Sequence, residues 1–295
     1  PMPQPPNEHK RPTRRQLLTG AGAVAAAAAL GTTTACSPRR MPVAYRYGTK
    51  SKQQYGLLML PEGEIKGTVV LVHGGSWLTL HSATEQMGEW QLALAKEGIA
   101  TWSIEYRRLG SGGGFPNTYL DVAAAMDYLT ELQPKVDGVT TEDLNRNVII
   151  VGYSSGAQLA VWAASRRDFT PGGEAKLKAK AVLSLAGPLT MAALSGVIGT
   201  GVVKKMMGGG FDKVPDHYYK ADPVMLVPAN MPVHIMHDTR DIYVPPQSGE
   251  TYCNVARAAG GECTFELVPG EHLQLGTPEG PAWPQVVAKI EELLS

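Results

Sequence analysis

A short strand–turn–helix segment in the middle of the chain constrains its fold most. Residues 147–151 form a β-branched apolar run typical of a buried strand, and residues 157–164 form an Ala-rich run typical of a helix. Between them lie Gly152, Ser154 and Gly156, in the spacing G-x-S-x-G. A serine at so sharp a turn has a strained backbone, and glycines on both sides leave it room. Its Oγ then stands above the sheet edge, beside a helix N-terminus that favours developing negative charge.

This pattern predicts that Ser154 is a nucleophile for acyl transfer, which requires a general base. Four histidines follow it along the chain: His217, His234, His237 and His272. We predict His272 as the base, because it follows a strand-like run in a loop that can reach the sheet edge. His237 ends the preceding strand and is the alternative. His234 lies inside that strand and His217 in a Tyr-rich polar segment, and neither is predicted to be the base.

The acid that orients the base is predicted to be Asp241. It lies in residues 237–245, the loop after the penultimate strand, where its carboxylate can accept a hydrogen bond from the base and stabilise the imidazolium. Asp238 leaves the same strand earlier and is the rival acid; its other role would be that of a turn or capping residue. Nucleophile, acid and base then follow along the chain in the order Ser, Asp, His, each after a predicted strand.

A second glycine-rich loop is predicted to form an oxyanion hole. It has the sequence His-Gly-Gly-Ser-Trp and follows the strand-like run 68–72. Glycines let a backbone approach a substrate oxygen, so the loop is expected to donate N–H groups together with the residue after the nucleophile. The predicted donors are Gly74, Gly75, Ser76 and Ser155. His73 precedes the serine and is predicted to be structural, whereas Trp77 lines the acyl pocket or belongs to the core.

Predicted strands and helices alternate along the chain, which favours an α/β fold with a mostly parallel central sheet and helices on both faces. Strands are predicted at 53–60, 68–73, 100–105, 148–151, 179–185, 233–237 and 263–268. Helices are predicted at 84–96, 118–132, 154–166, 246–259 and 283–294. Residues 42–295 are therefore expected to form one catalytic domain. An insertion at about 188–230, rich in Gly, Met and Tyr, is predicted to be a small cap with a helix at 191–203.

Residues 1–41 are predicted to be an export signal and linker outside the fold. The Arg-Arg pair at 14–15 precedes an Ala-rich, mildly apolar stretch at 17–30, and this pattern is typical of a twin-arginine signal. The apolar stretch is too short for a helix that spans a membrane. Cys36 follows in a context that resembles a lipobox. Two outcomes stay open: a lipid anchor on Cys36, or cleavage near Ala35 that releases a soluble enzyme.

Composition narrows the choice of partners. The chain has 27 basic and 27 acidic residues and no spacing typical of metal ligands, so no nucleic acid, metal or cofactor is predicted. Cys253 and Cys263 either pair as a disulfide in an oxidising compartment or remain buried thiols. The sequence leaves the oligomeric state open.

Four segments resemble the α/β-hydrolase superfamily, and within it the small bacterial esterases of the feruloyl-esterase-like and hormone-sensitive-lipase-like branches. They are residues 73–77, 103–108, 115–122 and 152–159. The resemblance covers roughly residues 50–295, and it implies that Tyr106, Arg107 and Asp121 are scaffold residues, with an ion pair between the last two. Relatives usually have Gly directly after the histidine of the acid loop, where this chain has Asp238.

Together these patterns predict an exported serine hydrolase that cleaves small-molecule carboxylic esters through an acyl-enzyme. The same three side chains would also serve an amidase or exopeptidase. A catalytically silent binding protein on the same fold is the alternative from another functional class.

Overall fold

The computed structural model describes residues 41–195 and 201–295, all within one compact unit, Arg40–Ser295. Its strands are β1 (Val43–Arg46), β2 (Tyr55–Met59), β3 (Gly67–Val72), β4 (Ile99–Ile104), β5 (Val148–Tyr153), β6 (Ala181–Leu185), β7 (Val233–Asp238) and β8 (Cys263–Val268). They form a sheet in the order β1-β2-β4-β3-β5-β6-β7-β8. The pairings of β2 with β1 and β4 are antiparallel, and the pairings from β4 through β8 are parallel.

Helices follow most of these strands. They are α1 (Ala83–Lys96), α2 (Asn117–Tyr128), α3 (Thr141–Asn145), α4 (Ser155–Ala164), α5 (Met191–Leu194), α6 (Val202–Met207), α7 (Pro215–Ala221), α8 (Gln247–Ala258), α9 (His272–Leu275) and α10 (Trp283–Leu294), with a 3-10 helix at Pro223–Leu226. The first of them starts with a capping box between Ser82 and Glu85, which satisfies backbone N–H groups at its N-terminus.

Two apolar layers lie on opposite faces of the sheet. The central strands β3 to β6 are buried along their whole length, because both faces are covered. Alternate side chains of β3 enter different layers: Leu71 packs in the layer with α1 and α10, and Val70 in the layer with α2, α4 and α8. This arrangement leaves the carboxyl edge of the parallel strands for loops.

The predicted α/β architecture is confirmed, with differences in the short elements. The strand β1 and the helix α3 were not predicted. The helix predicted at 191–203 is wrong as one element, because α5 ends at Leu194 and α6 begins separately at Val202. Gly201, with a φ of 73°, starts α6 from left-handed backbone, and residues 196–200 lie outside the described residues.

A small cap formed by α5, α6, α7 and the 3-10 helix lies within the insertion at about 188–230. Buried Asp222 fastens its two ends, since its carboxylate accepts the N–H groups of Met191 and Ala192 at 3.0 and 2.9 Å. Gln158 on α4 donates to the Ala221 carbonyl at 2.9 Å. The cap is therefore tied directly to the helix that follows β5.

Several other predictions concern single features. The predicted signal, Cys36 and all of the predicted linker except Met41 lie outside the described residues. Within the described part of the chain, no helix has the length and apolar character needed to cross a membrane. Cys253 and Cys263 are both buried free thiols. Arg107 and Asp121 form the expected ion pair through two hydrogen bonds of 2.7 Å.

Candidate active site

The turn between β5 and α4 holds Ser154 in a conformation that side-chain-bearing residues rarely adopt, with φ 53° and ψ −125°. Two glycines make the turn possible. A Cβ on Gly152 would collide with the backbone of Gly156, and a Cβ on Gly156 would collide with the carbonyls of Val72 and His73. The turn therefore packs against the end of β3 and presents the Ser154 hydroxyl at the carboxyl edge of the sheet.

His272 is the first residue of α9, and its Nε2 lies 2.9 Å from Ser154 Oγ. The Tyr153 hydroxyl donates to the His272 carbonyl at 2.8 Å. The rings of Tyr153 and Tyr243 pack against the imidazole, with centroids 5.3 and 5.4 Å away. These contacts hold the nearly buried imidazole towards the serine.

Asp241 extends this hydrogen-bond chain. Its Oδ2 lies 2.6 Å from His272 Nδ1, and its Oδ1 accepts the N–H groups of Tyr243 and Val244 at 2.8 and 2.9 Å. Burial acts to raise the pKa of Asp241, but hydrogen bonds from His237 and His272 outweigh burial and hold the pKa well below its usual range. Asp241 is therefore an anion at neutral pH, so Nδ1 is the donor and Nε2 is left to accept the serine proton.

His237, the alternative base, contacts the acid and not the serine. Its Nε2 lies 3.0 Å from Asp241 Oδ2 and 2.9 Å from the Val244 carbonyl. Both partners are acceptors, so Nε2 carries the proton and the ring fixes the acid loop. His217 and His234 are bonded elsewhere, to a cap carbonyl and to a strand hydroxyl.

Asp238, the rival acid, is the last residue of β7. It lies beside the Ser154–His272–Asp241 hydrogen-bond chain but makes no hydrogen bond to it. It is fully buried, and neither carboxyl oxygen has a hydrogen-bond partner among the described residues. One ligand atom each of Asp238, Asp241 and His272 lies within 4.8 Å of the others, a spacing that a cation could also bridge. Burial, followed by the charge of Asp241, raises the pKa of Asp238 to about 6. The carboxylate in contact with His272 is thus Asp241.

The loop after β3 passes through left-handed backbone three times in succession. Gly75, Ser76 and Trp77 have φ values of 106°, 55° and 57°. Trp77 fastens this loop to α4: its backbone N–H donates to Ser155 Oγ at 3.3 Å, and its indole Nε1 donates to Gln158 at 3.1 Å. The loop is therefore held beside the turn that carries the serine.

The predicted oxyanion donors differ in whether their N–H groups are available. The Gly74 N–H donates to the side chain of Gln86, so the prediction of Gly74 as a donor is corrected: it anchors the loop. Within the described part of the chain, the N–H groups of Gly75, Ser76 and Ser155 donate to no protein acceptor, and all three residues line the cleft at the serine. These three remain able to bind an oxyanion.

A buried polar cluster supports the loop from behind. His73 Nδ1 lies 2.8 Å from the Gly74 carbonyl, and Nε2 lies 3.2 Å from Glu105. Glu105 also pairs with Arg108 at 3.3 Å and accepts the Ala83 N–H at 3.1 Å. His73 is structural, as predicted. No role for Glu105 was predicted from the sequence, although an acidic residue directly after a mostly apolar strand is rarely buried without a partner.

A cleft of about 260 Å³ opens above Ser154. Among the described residues that line it, none is Asp, Glu, Lys or Arg. Its apolar and aromatic side chains are Trp77, Leu80, Tyr153, Val202, Tyr243, Val244 and Leu273. The cleft therefore suits a small uncharged molecule whose reacting group lies at the serine.

The strand order, with a serine on the turn after β5 and a histidine after β8, defines the α/β-hydrolase fold. The BD-FAE family model matches residues 58–254, and the chain belongs to this family of α/β-hydrolase-type esterases. The protein is therefore a carboxylic ester hydrolase. The resemblance and the enzyme class expected from the sequence are both confirmed.

Solved structures of other proteins share the fold. A bifunctional GH43-CE protein of Bacteroides eggerthii is 20% identical (TM-score 0.69); the match covers 85% of this chain but only 37% of that protein. A truncated carbohydrate esterase from gut microbiota is 19% identical (TM-score 0.70; 87% and 97% covered). The butyrate-bound esterase Est2 of Thermogutta terrifontis is 17% identical (TM-score 0.67; 86% and 93% covered). A search of curated proteins finds no match.

Proposed function

We propose that this esterase works through an acyl-enzyme, with Ser154 as nucleophile, His272 as general base and acid, and Asp241 as the carboxylate that orients the histidine. The observation that carries the proposal is the continuous hydrogen-bond chain from Ser154 Oγ to His272 Nε2 at 2.9 Å and from His272 Nδ1 to Asp241 at 2.6 Å. Both distances allow proton transfer and orientation without rearrangement of the side chains.

In the first step, Ser154 Oγ attacks the ester carbonyl carbon while its proton moves to His272 Nε2. The π electrons of the carbonyl bond move to oxygen and give a tetrahedral oxyanion. Asp241 stays ionised and stabilises the imidazolium, since hydrogen bonds hold its pKa low despite burial. The N–H groups of Ser155 and of Gly75 or Ser76 are the proposed oxyanion donors, and the N-terminus of α4 adds favourable charge.

Collapse of this intermediate breaks the bond to the alcohol oxygen, which takes the proton from His272. A water molecule then attacks the acyl-enzyme, with His272 again removing a proton. The second tetrahedral intermediate releases the carboxylic acid and restores the Ser154 hydroxyl.

The proposed substrates are small uncharged esters with a short acyl group. Support comes from the cleft, which has about 260 Å³ and no charged lining residue in the described part of the chain. Ligand pockets usually have about 300–1,000 Å³, so this one is small. Two structural relatives are described as a carbohydrate esterase and as a butyrate-bound esterase. Short acyl esters of sugars or simple alcohols are therefore the first candidates for this chain.

The test compares the full-length chain with Ser154→Ala on p-nitrophenyl butyrate and on the matching butyryl anilide. Ester turnover that the substitution lowers by at least about a thousandfold supports the proposal. Faster cleavage of the anilide would replace it with an amidase, and equal ester turnover by the folded variant would reject Ser154 as the nucleophile.

We also propose that the enzyme is exported by a twin-arginine signal and anchored by a lipid on Cys36. The Arg-Arg pair at 14–15 and the apolar stretch at 17–30 support export. Replacing both arginines with lysine should retain the protein in the cytoplasm on cell fractionation. Labelled palmitate should enter the wild type and not Cys36→Ser; labelling of neither protein would favour the soluble alternative.

A further inference from the structure

The structure assigns a second carboxyl group to the machinery of this site. We propose that Asp238 is a positioning residue that stabilises the protonated imidazole of His272 together with Asp241, and so sets the pH range of ester hydrolysis. This inference rests on the proposed roles of Ser154, His272 and Asp241, and it adds a residue to which the preceding mechanism gives no part.

The carboxyl group of Asp238 is buried, and no hydrogen bond offsets the loss of its contact with water. The residue is fully buried at the end of β7, and both oxygens of its carboxyl group lack a hydrogen-bond partner in the described part of the chain. Buried carboxyl groups are normally paired, because isolating a charge from water destabilises the folded state. A carboxyl group that serves only packing would be replaced at no loss by an apolar side chain.

The second observation is the position of that carboxyl group. Ligand atoms of Asp238, Asp241 and His272 lie within 4.8 Å of one another. At the end of β7, Asp238 pairs in register with Val268 of β8, which fixes its backbone. A Cβ on Gly270 would lie 3.5 Å from Asp238 Oδ1, so the loop after β8 packs against this carboxyl group. The Asp238 carboxyl group therefore lies close to His272 and has no contact with solvent.

The titratable groups around Asp238 come from every neighbouring element. Asp241 belongs to the acid loop, His237 to β7 itself, His272 to α9 and Tyr153 to the end of β5. Arg240 and Glu271 lie nearby in sequence, but both are exposed and pair with each other at 3.4 Å. In the proposed mechanism His272 gains a positive charge during the reaction. Two carboxyl groups, those of Asp238 and Asp241, lie close to its imidazole at that moment.

The electrostatic consequence follows from this arrangement. Burial and the Asp241 charge raise the pKa of Asp238 to about 6, so it ionises close to the pH at which a histidine gives up its proton. Once ionised, it favours the imidazolium that forms when Ser154 is deprotonated. Removal of this charge takes away one attraction for the imidazolium, so the acid limb of the activity profile should move downwards.

The experiment measures pH profiles of kcat and kcat/KM on p-nitrophenyl butyrate for the wild type, Asp238→Asn and Asp238→Ala. Both substitutions remove the charge, and the alanine variant also removes the polar group. We expect the acid limb of kcat/KM to shift down by about one pH unit in both variants. The plateau at high pH should fall about threefold to tenfold, because one of two carboxylates no longer stabilises the imidazolium.

The matched control is Asp222→Asn, which removes another buried carboxyl group whose oxygens accept N–H groups in the cap; the position of its acid limb should match the wild type. An unshifted acid limb in both Asp238 variants overturns the inference, even if the plateau falls, because packing damage alone lowers the plateau. A wild type without ester turnover, or a fully active Ser154→Ala, would instead reject the proposed function.

Discussion

At the residue scale, the proposed nucleophile Ser154 combines a catalytic requirement with a cost in stability. Its φ of 53° with ψ of −125° lies where essentially only glycine is unstrained. The free energy of unfolding of Ser154→Gly should therefore be about 1 kcal/mol higher than that of Ser154→Ala. Both variants lack the hydroxyl, so chemical denaturation compares the relief of backbone strain with the extra freedom that glycine gives the unfolded chain, and we expect the relief of strain to be larger. An alanine variant as stable as the glycine variant would show that the turn carries no such strain.

Asp238 provides the second residue-scale prediction, which concerns stability and not rate. Because burial raises its folded-state pKa to about 6, the native protein holds this proton more tightly than the unfolded chain. The stability gained from the neutral form is present below about pH 4 and is lost as the pH rises through 6.

Asp238→Asn cannot ionise, so it escapes this loss. Its free energy of unfolding, measured relative to the wild type, should rise by about 2 kcal/mol between pH 4 and pH 7. Urea unfolding at the two pH values tests the difference. A constant offset between the two proteins would mean that Asp238 keeps the same protonation state on folding.

At the element scale, the loop after β3 depends on Glu105 behind it. Glu105 bonds His73, Arg108 and the N–H of Ala83, and these bonds fix both ends of the loop that carries Gly75 and Ser76. Glu105→Gln keeps the size but removes the charge. We expect kcat to fall about tenfold to a hundredfold, with a smaller change in KM, because misplaced oxyanion donors act mainly in the transition state.

The control for this variant is Glu131→Gln, which weakens an exposed pair with Lys176 and should leave kcat unchanged. Far-UV circular dichroism of both variants should match the wild type. Unchanged kcat in a folded Glu105→Gln would show that the loop holds its shape without this carboxylate.

The long elements could be predicted from the sequence, because β3 and β5 contain continuous β-branched apolar runs and the helix α10 carries a clear helical periodicity. The short ones could not. Helices of four to six residues, such as α5, α6 and α9, are stable only through tertiary contacts, so their own sequence signals little.

The site shows the same limit. Ser154, His272 and Asp241 each follow a predicted strand, so their approach to one another could be expected from the topology. The bond between Gly74 and Gln86 joins the loop after β3 to the helix α1, and the absence of Asp238 from the Ser154–His272–Asp241 hydrogen-bond chain depends on side-chain directions. Neither can be read from residue order, because both are set by packing between distant segments.

At the scale of the whole molecule, one side chain connects the cap to the site. Gln158 on α4 accepts a hydrogen bond from Trp77 in the loop after β3 and donates to the Ala221 carbonyl in the cap. Val202, the first residue of α6, reaches from the cap into the cleft. The cap and the loop after β3 are thus held on the same helix, so the size of the cleft depends on both.

This arrangement predicts a preference for short acyl chains. The kcat/KM for p-nitrophenyl octanoate should be at least about tenfold below that for the butyrate ester, because four further CH₂ groups must find room in a cleft of only about 260 Å³. Val202→Ala removes two methyl groups at the cap side of the cleft and should narrow that ratio, chiefly by raising octanoate turnover. Thr170→Ala, a change at a buried residue that does not line the cleft, is the matched control. Equal kcat/KM values for both esters in the wild type would show that the acyl chain extends out of the cleft into solvent. The cap would then not limit the length of the acyl chain.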